Sequence, residues 1–337
     1  MPDRNSDGQG RIVERGTVRI ERLLPGPADR VWTYLTQSQM RRQWLAVGEM
    51  EPRVGGRVEH LFRHAELSAE PTPERYRKFD DSPAMFGEVT QWDPPRVLAY
   101  TWPGDDGSSE VTFELFPEQG EVLLILTHRR LPDTGTMVSV ASGWDSHVGI
   151  LIDRLKGTEP RGFWSTHERL EQRYLETFAA TTADGTKPEH VVRLERVFDA
   201  SPEALYAAWT DLDLMRRWLG RSVDADVRVG GRFRIESDGD EGEVYIHSGE
   251  YLALEPGKLV KQTFVAEGHD PYPYADEFIA ISFRALPDGD TQLTLVNGWN
   301  GDGPGEDGAE LVRQGWTLWL DLLDGMFERS PELRRTT

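Results

Sequence analysis

Ser201-Pro202-Glu203-Ala204-Leu205-Tyr206-Ala207-Ala208-Trp209-Thr210 reads as the start of a helix, with Pro202 in the first turn, where a missing N–H costs nothing. The same stretch occurs earlier in another form, as Pro27-Ala28-Asp29-Arg30-Val31-Trp32-Thr33-Tyr34-Leu35-Thr36. Outward from this pair the likeness continues in order. Arg42-Gln43-Trp44-Leu45 answers Arg216-Arg217-Trp218-Leu219, and Val54-Gly55-Gly56-Arg57-Val58 answers Val229-Gly230-Gly231-Arg232-Phe233. Gly87-Glu88-Val89 then answers Gly249-Glu250-Tyr251, Val111-Thr112-Phe113 is matched to Ile281-Ser282-Phe283, and Gly143-Trp144 to Gly315-Trp316. Self-similarity of this kind identifies two copies of one fold.

Hydrophobic period and turn residues give the order of elements in each copy. In the second copy a strand over 190–198 precedes two short helices ending at Leu219. Strand-like stretches follow near 223–229, 232–236, 244–253, 258–265, 277–285 and 291–297. A long helix over 310–327 closes the copy, with Leu311, Gly315, Leu318, Trp319, Leu322 and Met326 at helical spacing as its apolar face. The first copy repeats this order, its strands near 17–24, 57–63, 86–92, 97–102, 110–116 and 121–128 and its long helix over 139–156. It adds an insertion over 65–83 and a helix over 165–178, both assigned to packing between domains. The expected organisation is a disordered segment 1–16, a first domain 17–178, a polar linker 179–189 and a second domain 190–330.

With 38 basic and 58 acidic side chains the net charge is −20, most of it in the second copy. Such a field repels phosphate backbones and anionic headgroups, so nucleic acid and membrane are excluded as expected partners. No apolar run reaches the length of a membrane span, and the polar start lacks the apolar stretch of a signal peptide, so a cytoplasmic location is expected. The absence of cysteine removes disulfides, thiol nucleophiles and thiolate metal sites.

The ordered set of a strand, two short helices, Trp-Leu, Gly-Gly-Arg, Gly-Glu and a terminal Gly-Trp helix resembles the START/SRPBCC helix-grip superfamily. Within it the set is similar to the branch containing the C-terminal domain of the Hsp90 ATPase activator. The resemblance implies an α+β fold: two tandem helix-grip domains, each a curved antiparallel sheet wrapped around its long C-terminal helix over an apolar cavity. It also implies cavity walls, from Trp44, Phe62, Tyr100, Trp102, Phe113, Trp144 and His147 in the first copy. In the second they are Trp218, Phe233, Tyr245, His247, Phe264, Phe283, Trp299, Trp316 and Trp319. A narrower likeness, to helix-grip self-resistance proteins of enediyne producers, implies an apolar polycyclic ligand, polyketide or enediyne-like, in antibiotic biosynthesis or self-resistance. No cofactor is implied. A polyketide aromatase/cyclase is the enzymatic alternative and a co-chaperone-like interaction protein the third.

Catalysis would need a general acid or base in the cavity, and His128 and His147 are the candidates, one ending a strand and the other on the long helix. His60, Phe62 and His64 share a strand face, where an inward histidine pair would suit a metal or acid–base chemistry and an edge strand would leave both in water. Asp145-Ser146-His147 is not a hydrolytic triad, because adjacent helical residues point about 100° apart. Gly303-Pro304-Gly305-Glu306-Asp307-Gly308 lacks the strand–helix setting of a dinucleotide loop and carries acids that repel pyrophosphate. His167 and Glu171 lack a third ligand and read as a solvated face, and the acidic stretch 236–243 does not fit a calcium loop. No metal site is expected.

Overall fold

The computed structural model describes residues 11–14, 16–79, 83–102, 109–182, 185–238, 243–267, 275–301 and 308–335. The chain forms two compact units, Met1–Tyr174 and Leu175–Thr337. Most of the glycine-rich loop 303–308 and residues 239–242 of the acidic stretch lie outside the described residues, as does the start of the N-terminal segment.

In the first unit the strands are β1 (Arg11–Glu14), β2 (Thr17–Pro25), β3 (Ala46–Val47), β4 (Arg57–Phe62), β5 (Met85–Asp93), β6 (Val97–Trp102), β7 (Ser109–Glu118) and β8 (Glu121–Arg129). Helices α1 (Ala28–Thr36) and α2 (Ser38–Arg41) follow β2, and α3 (Thr134–Lys156) and α4 (Phe163–Ala179) follow β8. The eight strands form one sheet in the order β1-β2-β8-β7-β6-β5-β4-β3, antiparallel throughout. One expectation is corrected at its edge. Residues Arg11–Glu14, assigned to a disordered segment, pair with β2 as an added strand.

The second unit carries β9 (His190–Phe198), α5 (Pro202–Thr210), α6 (Leu212–Met215), β10 (Ser222–Ala225), β11 (Arg232–Asp238), β12 (Val244–Glu255), β13 (Leu259–Thr263), β14 (Val265–Glu267), β15 (Ala275–Ala285), β16 (Thr291–Asn300) and α7 (Gly308–Arg329). Its sheet runs β10-β11-β12-β13-β15-β16-β9, with β14 also paired to β12. Both units are therefore curved antiparallel sheets gripping a long helix.

The repeated glycines explain the curvature. In both copies the strand after the Gly-Gly hairpin pairs at a glycine, Gly87 on β5 and Gly249 on β12, where a Cβ would lie 2.0 and 2.1 Å from the carbonyl oxygens of Thr101 and Thr263. The same threonines accept the next N–H on their hydroxyls, Glu88 N–H at 2.9 Å and Glu250 N–H at 2.8 Å. Two residues further on, each strand carries a register shift, between Val89 and Gln91 and between Tyr251 and Ala253. A close approach followed by a bulge bends the sheet, and it does so at the same place twice. The tryptophans after the short helices repeat as well: Trp44 Nε1–H donates to the Tyr34 carbonyl and Trp218 Nε1–H to that of Ala208, both at 2.9 Å.

Strand pairing also corrects the internal alignment. Val18-Arg19-Ile20-Glu21-Arg22 on β2 corresponds to Val192-Arg193-Leu194-Glu195-Arg196 on β9. Val18 faces His128 as Val192 faces Asn297, so those two are equivalent. Val111 then corresponds to Ile279, not Ile281, because it too pairs with His128 as Ile279 pairs with Asn297.

Two further expectations change. The face of α7 turned to the sheet is Trp316, Leu320, Leu323, Met326 and Phe327, whereas Leu311, Leu318 and Leu322 are exposed. The helix has two apolar stripes, and only one covers the core. The insertion of the first unit packs inside that unit: Tyr76 stacks on Trp164 of α4 at 4.4 Å, Ser68 Oγ accepts the Phe163 N–H at 3.2 Å, and Glu70 accepts the Ser165 N–H at 3.0 Å. Among the described residues no helix is long and apolar enough to cross a membrane.

Candidate functional site

Each long helix presents an indole N–H to the sheet at the same position. In the second unit Trp316 Nε1–H donates to Asn297 Oδ1 at 2.7 Å, and Asn297 Nδ2 donates to Glu277 Oε1 and to the Phe278 carbonyl, both at 3.1 Å. An indole can only donate, so its bond fixes which end of the buried Asn297 amide is oxygen. In the first unit Trp144 Nε1–H donates to His128 Nδ1 at 3.0 Å, and His128 Nε2 lies 2.8 Å from Ser109 Oγ. The same logic makes His128 the Nε2–H tautomer, donating to Ser109, whose hydroxyl donates to the Trp102 carbonyl at 3.2 Å. Ser109 is the pairing equivalent of Glu277, since Trp102 pairs with Ser109 while Phe264 N–H donates to the Glu277 carbonyl. One relay thus ends in a hydroxyl and the other in a carboxyl.

Around Glu277 the second unit opens a cleft of about 180 Å³, lined by His247, Phe264, Ala266, Glu277, Asn297, Val312, Gly315, Trp316 and Trp319. The rings form one wall. His247 stacks on Phe264 at 4.9 Å and meets Trp319 edge-on at 5.2 Å; Trp316 lies 5.2 Å from Phe264 and 5.3 Å from Trp319. Glu277 reaches the cleft because Asp276, at φ 53°, takes a left-handed conformation within the register shift between Ala275 and Phe278. Burial pushes its carboxyl up to about 7, against the opposing pull of the Asn297 hydrogen bond. A group that exchanges its proton near neutrality therefore sits at the base of an aromatic cleft.

The corresponding region of the first unit is packed with rings. His60 is fully buried, with Tyr100 at 5.2 Å and Trp102 stacked at 5.1 Å, and Phe62 stacks on His64 at 5.3 Å. His147, equivalent to Trp319, donates from Nδ1 to the Trp44 carbonyl at 2.7 Å and lies 4.7 Å from Phe163 of α4. Phe163 and Trp164, both buried, pack on His64 here, where the second unit has its cleft. His167, expected on a solvated face, is instead half-buried against Trp164 and Tyr76. Desolvation holds His60 and His147 down to about 3 and His128 to about 4. All three are neutral at physiological pH, and His128 has both ring nitrogens engaged, which leaves no lone pair for a substrate proton. Among the described residues no group of three or more His, Asp or Glu is arranged to hold a metal ion.

The cavity-wall residues inferred from sequence divide accordingly. His247, Phe264, Trp316 and Trp319 line the cleft. Trp218, Phe233 and Phe283 pack in the core, Trp299 stacks on His190 at 5.4 Å, and Tyr245 is half-buried on β12. In the first unit Trp44, Phe62, Tyr100, Phe113, Trp144 and His147 are buried and Trp102 is half-buried among them. Sequence reasoning missed Glu277 and Asn297. Matching β2 to β9 would have aligned them with Ser109 and His128.

The relay makes a stability prediction. Trp316→Phe keeps most of the ring but strands the Asn297 oxygen in the core, and should cost about 1–3 kcal/mol. Urea unfolding checks it; a loss below 0.5 kcal/mol, on the order of an exposed hydrogen bond, contradicts the relay.

The model of the activator of Hsp90 ATPase homolog 1-like proteins matches residues 25–156 and again 199–328, which together span most of the chain. The chain belongs to this family. Each family match runs from the short helices through the following strands to the long helix of one unit, leaving β9 and nearly all of β2 outside it. Similar solved structures include a protein of Bordetella parapertussis, 42% identical over 50% of this chain and 89% of that one, with a TM-score of 0.45. CalU16 from Micromonospora echinospora is 19% identical over 48% of this chain and 86% of its own, with a TM-score of 0.37. The Aha1 dimer from Colwellia psychrerythraea is 18% identical over 40% and 93%, with a TM-score of 0.33. No curated protein matches.

Proposed function

We propose that the protein binds a small, largely apolar aromatic molecule in the cleft of its second unit, in the biosynthesis of, or self-resistance to, a polyketide or enediyne-like natural product. The observation that carries this reading is the wall of Phe264, His247, Trp316 and Trp319 around the Glu277–Asn297 pair. An apolar concavity with a few fixed polar groups is the usual form of a small-molecule site. At about 180 Å³ it is smaller than the roughly 300–1,000 Å³ of drug-sized pockets, so one or two rings would enter and a larger polycycle would protrude through the mouth. Ring contacts of this kind add about 0.5–1.5 kcal/mol each beyond burial.

Titration of the full chain with 1-naphthol and with larger polycyclic natural products, followed by tryptophan quenching and intact mass, tests the reading. Saturable quenching that Trp319→Ala weakens about tenfold or more is the expected result. If no aromatic probe binds, or if Trp319→Ala binds as well as the parent, the reading fails. Cleavage of the backbone on exposure to an activated enediyne would assign self-sacrifice, and an intact mass would assign sequestration.

Glu277 favours one second reading, a cyclase. A carboxyl near neutrality beside the ligand is suited to proton transfer, and it takes the place that sequence alone gave to His128 and His147. Glu277→Gln should then abolish turnover of a poly-β-ketone substrate while leaving its binding within about twofold; undiminished turnover would remove the cyclase.

A further inference from the structure

The cleft holds a carboxyl, and the basic side chain on its wall is the imidazole of His247, stacked on Phe264. None of its lining residues is Lys or Arg, and among the described residues Glu277 makes no ion pair; its described partner is the Asn297 amide at 3.1 Å. Burying an ionised carboxylate without a counter-charge is costly, and proteins normally meet the cost with a paired cation or by keeping the proton. Here the remaining walls are the faces and edges of four aromatic rings, the surroundings in which organic cations are held. The field of the whole chain, at −20, draws in positive ligands and repels carboxylates and phosphates. Asn297 cannot stand in for a Lys or Arg, because its two N–H groups go to Glu277 and Phe278 and its oxygen to Trp316.

We infer that the cleft recognises an aromatic amine or quaternary ammonium, with the cationic nitrogen placed between the Glu277 carboxylate and the rings of Trp316 and Trp319. This rests on the aromatic-binding reading and adds a charge requirement to it. The first unit lacks the feature: Ser109 stands at the position of Glu277 and His147 at that of Trp319.

Phenyltrimethylammonium and its neutral isostere tert-butylbenzene have nearly the same shape and differ in charge. Both are titrated into the full chain at pH 8, where Glu277 is mainly ionised, with tryptophan fluorescence and calorimetry as readouts. The cation should bind about tenfold or more tighter than the isostere. Glu277→Gln should cut that preference to within about twofold, and Trp319→Ala should weaken both probes. Equal affinity for the two probes, or a preference that survives Glu277→Gln, overturns the inference and leaves aromatic binding standing. If neither probe nor any other aromatic molecule binds, both fall together.

Discussion

Lowering the pH from 7 to 5 should unfold the first unit while the second persists. His60, His128 and His147 are at least nine-tenths or nearly so removed from water, and burial is the main cause of their depressed pKa values, about 3, 4 and 3. In the unfolded chain each returns to about 6.5. Because the folded state binds its protons less tightly, the stability these groups allow is fully present above pH 6.5. It is lost as the pH falls from there toward 3 or 4. At pH 5 each histidine opposes folding by an amount on the order of 2 kcal/mol, and all three act on the same unit, where typical domains have only about 5–15 kcal/mol in all. Glu277 has the opposite sign. Its folded pKa is raised to about 7, so its contribution is greatest below the unfolded carboxyl value and is lost as the pH rises toward 7. Far-UV circular dichroism against pH, with limited proteolysis at each step, should show cutting within residues 16–174 first. His60 makes no hydrogen bond through either ring nitrogen, so His60→Leu should leave neutral-pH stability intact and move the acid midpoint down. A single transition below pH 3.5, or first cuts in the second unit, would contradict the account.

Gly249→Ala should be among the most damaging single-methyl substitutions in the chain. The added carbon would sit 2.1 Å from the Thr263 carbonyl oxygen and 2.7 Å from Phe233 Cε1, and neither neighbour can withdraw. The oxygen belongs to the adjacent strand, held there by the Glu250 N–H to Thr263 Oγ1 bond, and Phe233 is buried in the core. The strands must part, breaking that bond and flattening the sheet at its bend. We expect a loss of about 3 kcal/mol or more. Gly143→Ala is the control: it lies in α3 with nothing within 4 Å of the new carbon, and should be neutral or stabilising by about 0.5–1 kcal/mol. Urea midpoints for the two variants decide the matter, and Gly249→Ala within about 1 kcal/mol of the parent would remove the close approach as a cause of curvature.

These glycines were also the most legible part of the sequence. Gly-Gly-Arg and Gly-Glu record local backbone demands, and local demands leave short motifs that survive in both copies; the glycine of Gly-Trp repeats with open space beside it. The strands between them were legible as strands but not in register, since turn lengths differ and a shift by two preserves the alternation of faces. That is how Val111 came to be matched with Ile281 in place of Ile279. The face of α7 misled for another reason: Leu311, Leu318 and Leu322 have helical spacing and are apolar, but spacing does not say which of two stripes meets the sheet. Glu277 was hidden by its company. In so acidic a chain a glutamate on a strand looks like surface, and only the bulge at Asp276 and the contact with Asn297 show that it turns inward. The aromatic wall was legible in kind, and four of its nine positions in the second unit line the cleft, because periodicity selects a face without distinguishing core from vestibule.

Phe163 gives the duplication its arithmetic. Two copies of one fold would ordinarily repeat one interior. In this chain the helix appended to the first copy lays Phe163 against His147, at the equivalent of the position where Trp319 stands beside open space in the second. One duplicated frame thus carries two different interiors at this point, rings packed on His147 in the first copy and a cleft beside Trp319 in the second. Substitutions at the first position are then tested by how well a filled interior holds together, and those at the second also by the space they leave beside Trp319.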